Sequence, residues 1–290
     1  MMDFIGKRKI WYGFSLLIIL IAIISLFMQG LNLGIDFRGG TLLQIKFEQN
    51  KVSGTEIRAV LAEFSMEKSF LQKSEDSYIL KTAELDKETQ SQILTALENK
   101  IGQFELLRNE NVGPVIGKEL RRAGILALII AGILQVIYIT IRFEFRFGIA
   151  AILALLHDAL VTIGFFSLFQ FEVDLTFIAA ILTVIGYSIN DTIVIFDRIR
   201  ENLKLMHKED LDKLVNSSIK QNLVRTFNTS LTVAFVLVAL LVLGGETTRY
   251  FSMVMLVGVI SGVYSSVFIA TSLWYDFVPT IKGKKKVIKI

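Results

Sequence analysis

The chain has 290 residues, 53% hydrophobic and 20% charged, with a mean hydropathy of +0.57, two prolines and no cysteine. That balance excludes an ordinary soluble enzyme and any disulfide or thiolate chemistry, and it fits a membrane protein carrying a modest soluble part. The net charge of +4 invites a nucleic-acid partner, but the placement of the basic residues argues for a membrane and no nucleic acid.

Six stretches are long and apolar enough to be transmembrane helices, approximately 10–30, 123–141, 147–169, 175–196, 226–244 and 250–275, given the ~20 residues needed to cross the hydrocarbon core. Lys7, Arg8 and Lys9 precede the first, and Arg142 and Arg146 follow the second. Arg198, Arg200, Lys204 and Lys208 follow the fourth, and Lys282, Lys284, Lys285 and Lys286 follow the sixth. The short loops on the other side hold Glu172 and Asp174, then Glu246 and Arg249. This alternation predicts both termini in the cytoplasm. The first stretch is long and lacks a small-x-small cleavage site, so it reads as a retained anchor.

Residues 34–121 form a polar-rich insert on the outer side, between a first block 1–33 and the remaining spans 122–281, with a basic tail 282–290. Residues 41–48 alternate, Leu43, Ile45 and Phe47 on one face and Gln44, Lys46 and Glu48 on the other, which predicts a half-buried strand. Ser53 and Glu56 have capping-box spacing ahead of Ile57, Val60, Leu61 and Phe64, so a helix starts there. Residues 69–73 and 77–82 read as a hairpin, 87–102 as a second helix and 104–108 as a last strand. The order βαββαβ predicts an α+β, ferredoxin-like domain outside a polytopic α-helical membrane protein.

Several tempting motifs carry no chemistry. Gly113-Pro114-Val115-Ile116-Gly117-Lys118-Glu119 has one residue too few between its glycines for a phosphate loop, and Glu119 where Ser or Thr is needed. His157 and His207 have no second histidine at ligand spacing, so no metal or other cofactor is expected. No nucleophile motif is present, and the chain is not expected to be an enzyme.

The polar residues inside the spans are more informative. Asp191 sits in an apolar run, where a charged group costs roughly 3 kcal/mol. An acid at that depth marks a proton or ion pathway by default, the alternative being a structural hydrogen bond to a neighbouring helix. Thr183, Tyr187 and Asp191 recur every four residues on one face, flanked by Asn190. On the fifth span Arg225, Asn228, Thr229 and Thr232 fall at i, i+3, i+4 and i+7, and the two stripes are expected to face each other. At 1.5 Å per residue Asp191 lies ~25 Å from Asp174 and Arg225 ~30 Å from Gly245, both in the cytoplasmic half. Arg225 reads equally as a partner for Asp191 or as a side chain snorkelling to the headgroups. His157 and Asp158, mid-way along the third span, either extend the network or only pack. Gly258 and Gly262, with Ser261 and Ser265 nearby, predict a close helix crossing with a neighbouring span or a partner chain.

Four runs carry a resemblance over essentially the whole chain: residues 34–41, with Asp36, Gly39 and Gly40; 112–120, with Gly113, Pro114 and Gly117; 186–202, around Asp191; and 225–230. The chain resembles the SecF family of the SecDF protein-translocation accessory complex, within the resistance-nodulation-division superfamily. The resemblance implies half of a twelve-span bundle, completed by a SecD-like subunit in the bacterial inner (cytoplasmic) membrane, with the insert in the periplasm. It implies association with the SecYEG channel and a YajC-like protein, and a translocating polypeptide as substrate. It also implies protons as the energy source, with Asp191 and Arg225 on the proton pathway. A small-molecule exporter of the same superfamily would have far larger outer domains, and a non-transducing scaffold would not need the acid at Asp191.

Overall fold

The computed structural model describes residues 3–48, 52–74, 76–205, 210–281 and 284–285. Lys208, His207, Lys282 and Lys286 lie outside them. The chain divides into two compact units, residues 33–126 and residues 1–32 with 127–290.

In the first unit a four-stranded antiparallel sheet carries two helices. The strands Gly40–Phe47, Phe70–Ser74, Ser77–Thr82 and Phe104–Val112 are ordered second, third, first, fourth. Thr41 stands opposite Thr82 on one side and Asn111 on the other, and the register shifts between Gln44 and Ile45 against the last strand. The helix Gly54–Ala62 begins at a complete capping box in which Ser53 and Glu56 satisfy each other's backbone amides. Lys87–Lys100 begins at Asp86, whose carboxylate accepts from Thr89 N at 2.7 Å; that bond holds its pKa below the usual carboxylate range. Leu43, Ile45 and Phe47 meet Ile57, Leu61, Ile93 and Leu97 in a core whose members are almost fully buried, each worth about 1.5–3 kcal/mol.

The second unit holds the spans, apart from the start of span two, residues 114–126, which belongs to the first. Among the described residues six helices are long and apolar enough to cross a membrane: Arg8–Met28, Pro114–Arg142, Phe145–Leu168, Leu175–Leu205, Leu211–Leu243, and a sixth from Glu246 to Phe277. The most apolar windows of the third, fourth and sixth are 50, 44 and 61% buried, against 17, 11 and 17% for the first, second and fifth. Spans three, four and six are therefore the centre of the bundle. At one end of these spans Phe147 packs against Trp274 as stacked rings 4.5 Å apart and against Phe196 at 4.8 Å. Span one seats on span three where Gly164 leaves no room for a side chain: a Cβ there would meet Ala22 Cβ at 2.1 Å. The fourth helix runs past its apolar stretch to Leu205, with Arg198–Glu201 and Arg200–Asp197 ion pairs along the extension. Before span one, Phe4 N and Ile5 N both donate to Asn216 Oδ1. Asp3 accepts from Gly6 N and Asn216 Nδ2, which keeps its carboxyl below the usual range.

Candidate functional site

Among the described residues two carboxylates, Asp158 and Asp191, lie buried between the spans. Asp158, on span three, is 1% exposed and collects four partners: Ser188 Oγ and Ser265 Oγ donate to Oδ2, each at 2.6 Å, Ser261 Oγ donates to Oδ1 at 2.7 Å, and His157 Nδ1 lies 3.0 Å from Oδ1. Spans three, four and six thus converge on one side chain. A buried carboxylate is tolerated at such depth only when its lone pairs are met, and here they are. The other ring nitrogen of His157, Nε2, is buried with no partner, and the ring lies 5.9 Å from that of Tyr264.

Asp191, on span four, is 6% exposed and far less well held. Ser230 Oγ donates to Oδ2 at 3.3 Å, and Tyr187 OH reaches Ser230 Oγ at 3.5 Å. Among the described residues no ion pair joins it to Arg225. Next to it, Thr192 and Ser266 share a 2.7 Å hydroxyl contact with span six. Span six changes winding here, with a π turn over Ser265–Ala270 that presents Ser265 to Asp158 and Ser266 to Thr192. Such turns are rare and concentrate at functional positions. Gly258 and Gly262 press on span four: a Cβ at Gly258 would meet Val184 at 2.3 Å, and one at Gly262 would meet Ser188 at 3.0 Å. The neighbour of that glycine pair is span four.

The two predicted polar stripes do not face each other. On span five it is Thr226 and Ser230 that are buried, while Arg225, Asn228, Thr229 and Thr232 lie on the exposed side. On span four Asn190 and Thr183 are exposed and Tyr187 half-buried. The helical repeat is the reason. Steps of four residues drift by about 40° each at 3.6 residues per turn, so Thr183 and Asp191 end on different sides. Ser188, Thr192 and Ser230 escaped the sequence reading because a lone serine or threonine inside a span is unremarkable. Their spacing with Asp191 and with the Ser261–Ser265 pair held the signal. Among the described residues no three His, Cys, Asp or Glu side chains gather as a metal site.

The glycine motifs of the soluble unit explain each other. Asp36 lies in a short helix, Ile35–Arg38, followed by Gly39 at φ +81° and Gly40 at φ +149°. A Cβ on Gly39 would stand 3.1 Å from Pro114 Cα and Val112 O, and one on Gly40 2.6 Å from Thr82 O. A Cβ on Gly117 in turn would stand 3.1 Å from Gly39 N, and one on Gly113 3.2 Å from Glu84 Oε1. Pro114 opens the helix that becomes span two, a position where its missing N–H costs nothing.

Residues 92–279 match the family described as protein export membrane protein SecD/SecF, C-terminal, and residues 24–51 match the SecD/SecF GG motif. The chain belongs to the SecF family. A SecF from Sebaldella termitidis is 46% identical over 275 residues, covering 92% of this chain and 89% of the relative. SecDF from Bacillus subtilis, in which this chain spans 37% of the length, is 41% identical. The crystal structure of SecDF from Thermus thermophilus superposes with a TM-score of 0.84 at 37% identity, covering 94% of this chain and 38% of that one. SecDF in its super-membrane-facing form gives 0.70 at 36% identity, with the same coverages. This SecF-family chain is thus a multi-pass membrane protein, equivalent to a little over a third of those longer SecDF proteins.

Proposed function

We propose that the chain is the smaller half of a proton-driven protein-export complex of the bacterial cytoplasmic membrane, completed by a SecD-like subunit. It promotes late steps of translocation through a SecYEG-type channel, beside a YajC-like protein, and draws on the proton gradient without hydrolysing ATP. The soluble unit, of the ferredoxin-like class, stands in the periplasm, and both termini are cytoplasmic by the charge pattern.

One observation carries the reading. Among the described residues Asp191 is buried in a span yet held only by a hydroxyl at 3.3 Å, with no ion pair. A carboxyl so loosely fixed is free to exchange one partner for another when its charge changes. In this reading Arg225, on the exposed side of span five, becomes a partner for Asp191 only when that helix turns. Taking up and releasing a proton then favours two packings of the seam. One charge crossing 100 mV supplies about 2.3 kcal/mol, several times thermal energy. Support for the SecD-like partner comes from the relatives in which both halves form one SecDF chain. A second support is the exposed polar side of spans four and five, which hydrocarbon would penalise.

The test is export driven by the proton gradient in cells that lack the native protein and carry Asp191→Asn. Loss of export by about 10²-fold or more is expected, the scale for removing a group the driving step requires, with membrane level and partner recovery unchanged. Near-normal export rejects the proton role and leaves a scaffold.

A further inference from the structure

Span four is held on its two sides with unequal strength. Toward spans three and six, Ser188, Ser261 and Ser265 reach Asp158 over 2.6, 2.7 and 2.6 Å, and Thr192 meets Ser266 at 2.7 Å. All six side chains are buried, and Gly258 and Gly262 of span six leave no room for a Cβ against Val184 and Ser188 of span four. Toward span five at the same depth the only hydrogen bonds among the described residues are the 3.3 and 3.5 Å contacts of Ser230 with Asp191 and Tyr187. Further along, beyond the apolar stretch, Asn202–Ser218 and Arg198–Gln221 tie the ends of the two helices at 2.7 and 2.5 Å.

We infer that Asp158 is a positioning residue, the pin that makes spans three, four and six one rigid body, so that movement set off at Asp191 is confined to the seam with span five. The grip falls where such a pin is needed. Ser188 lies one turn before Asp191 and Thr192 directly after it, so the turn carrying the acid is clamped from two elements. Hydrogen bonds to a buried carboxylate are stronger than those in water, and a satisfied network fixes one arrangement of its helices. Span five, short of such bonds at that depth and tied at one end, can pivot. The inference rests on the proton reading of Asp191 and adds the frame against which that acid works.

The chain has no cysteine, so a disulfide can be placed cleanly. Thr192→Cys with Ser266→Cys puts two thiols where two hydroxyls now touch, and oxidation ties span four to span six. Export would be measured in vesicles of the full complex before and after oxidation. If the two spans move as one, oxidation leaves the rate within about threefold of the reduced form, a difference under 1 kcal/mol. Asp158→Asn in the cysteine-free chain is expected to slow export about tenfold, the effect of orphaning buried hydroxyl donors. Combining it with the disulfide restores most of that loss, which no proton-carrying role of Asp158 allows. Loss of export on oxidation of the parent, or failure of the disulfide to rescue Asp158→Asn, overturns the inference. Should Asp158→Asn not accumulate, the oxidised parent decides alone. Asp191→Asn in the same vesicles reports on the proton reading separately, because normal export there sinks that reading while the disulfide still tests the pin.

Discussion

At Gly40 the chain has no space for a side chain and no backbone freedom to make any. Its φ of +149° is one that L side chains rarely adopt, and a Cβ would come 2.6 Å from Thr82 O, a backbone atom of the neighbouring strand. Gly40→Ala should therefore lower the stability of the soluble unit by about 2 kcal/mol or more, read as a fall in the thermal midpoint of the full chain. An unchanged midpoint would show that the turn relaxes freely. At this scale the sequence was legible where a residue type is costly and unreliable where a direction is required. Asp191 stood out because a carboxylate in an apolar run is expensive. Asp158 stood out less, because nothing in its neighbours on span three announces that three serines from two other helices will converge on it. Arg225 shows the limit: its spacing with Asn228, Thr229 and Thr232 is a real helical stripe, but the stripe faces outward.

Single elements were read more securely, since their signals are periodic and local. The strand Gly40–Phe47, the capping box at Ser53 and Glu56, the hairpin and the helix from Lys87 all stand within two residues of their expected starts. The last strand runs on to Val112 because it pairs along the whole of the first strand, a tertiary match invisible in a polar run such as Arg108-Asn109-Glu110-Asn111. Helix faces were harder, and glycines sort them well. Gly258 is pressed against Val184, whereas a Cβ at Gly186 would meet nothing within 4 Å. Gly258→Ala is expected to push spans four and six apart and cost about 1–3 kcal/mol, while Gly186→Ala is neutral or slightly stabilising. Resistance of the two variants to proteolysis in detergent separates the cases, and equal behaviour would mean that the crossing is slack.

For the whole molecule, the open question is what covers the outer side of spans four and five. Most of the surface of spans one and two is apolar, as lipid requires, with Leu17 and Ile133 both more than half exposed. Beside Phe227 and Phe235 on span five, however, Arg225, Asn228, Thr229 and Thr232 are exposed too, together with Asn190 on span four. Hydrocarbon penalises an arginine by roughly 2.5–3.5 kcal/mol at the centre of a span and by less toward its end, where Arg225 stands, and polar side chains in membranes turn to protein or to water. A SecD-like half with polar groups of its own would relieve that cost and complete the surroundings of Asp191. A photoreactive residue at Asn228 should accordingly form a covalent adduct with the SecD-like subunit in native membranes, while the same group at Leu17 or Ile133 is consumed by lipid. Adducts with the partner from Leu17 and Ile133 but none from Asn228 would place the interface on another side of the bundle and leave the polar stripe lining a water-filled path instead.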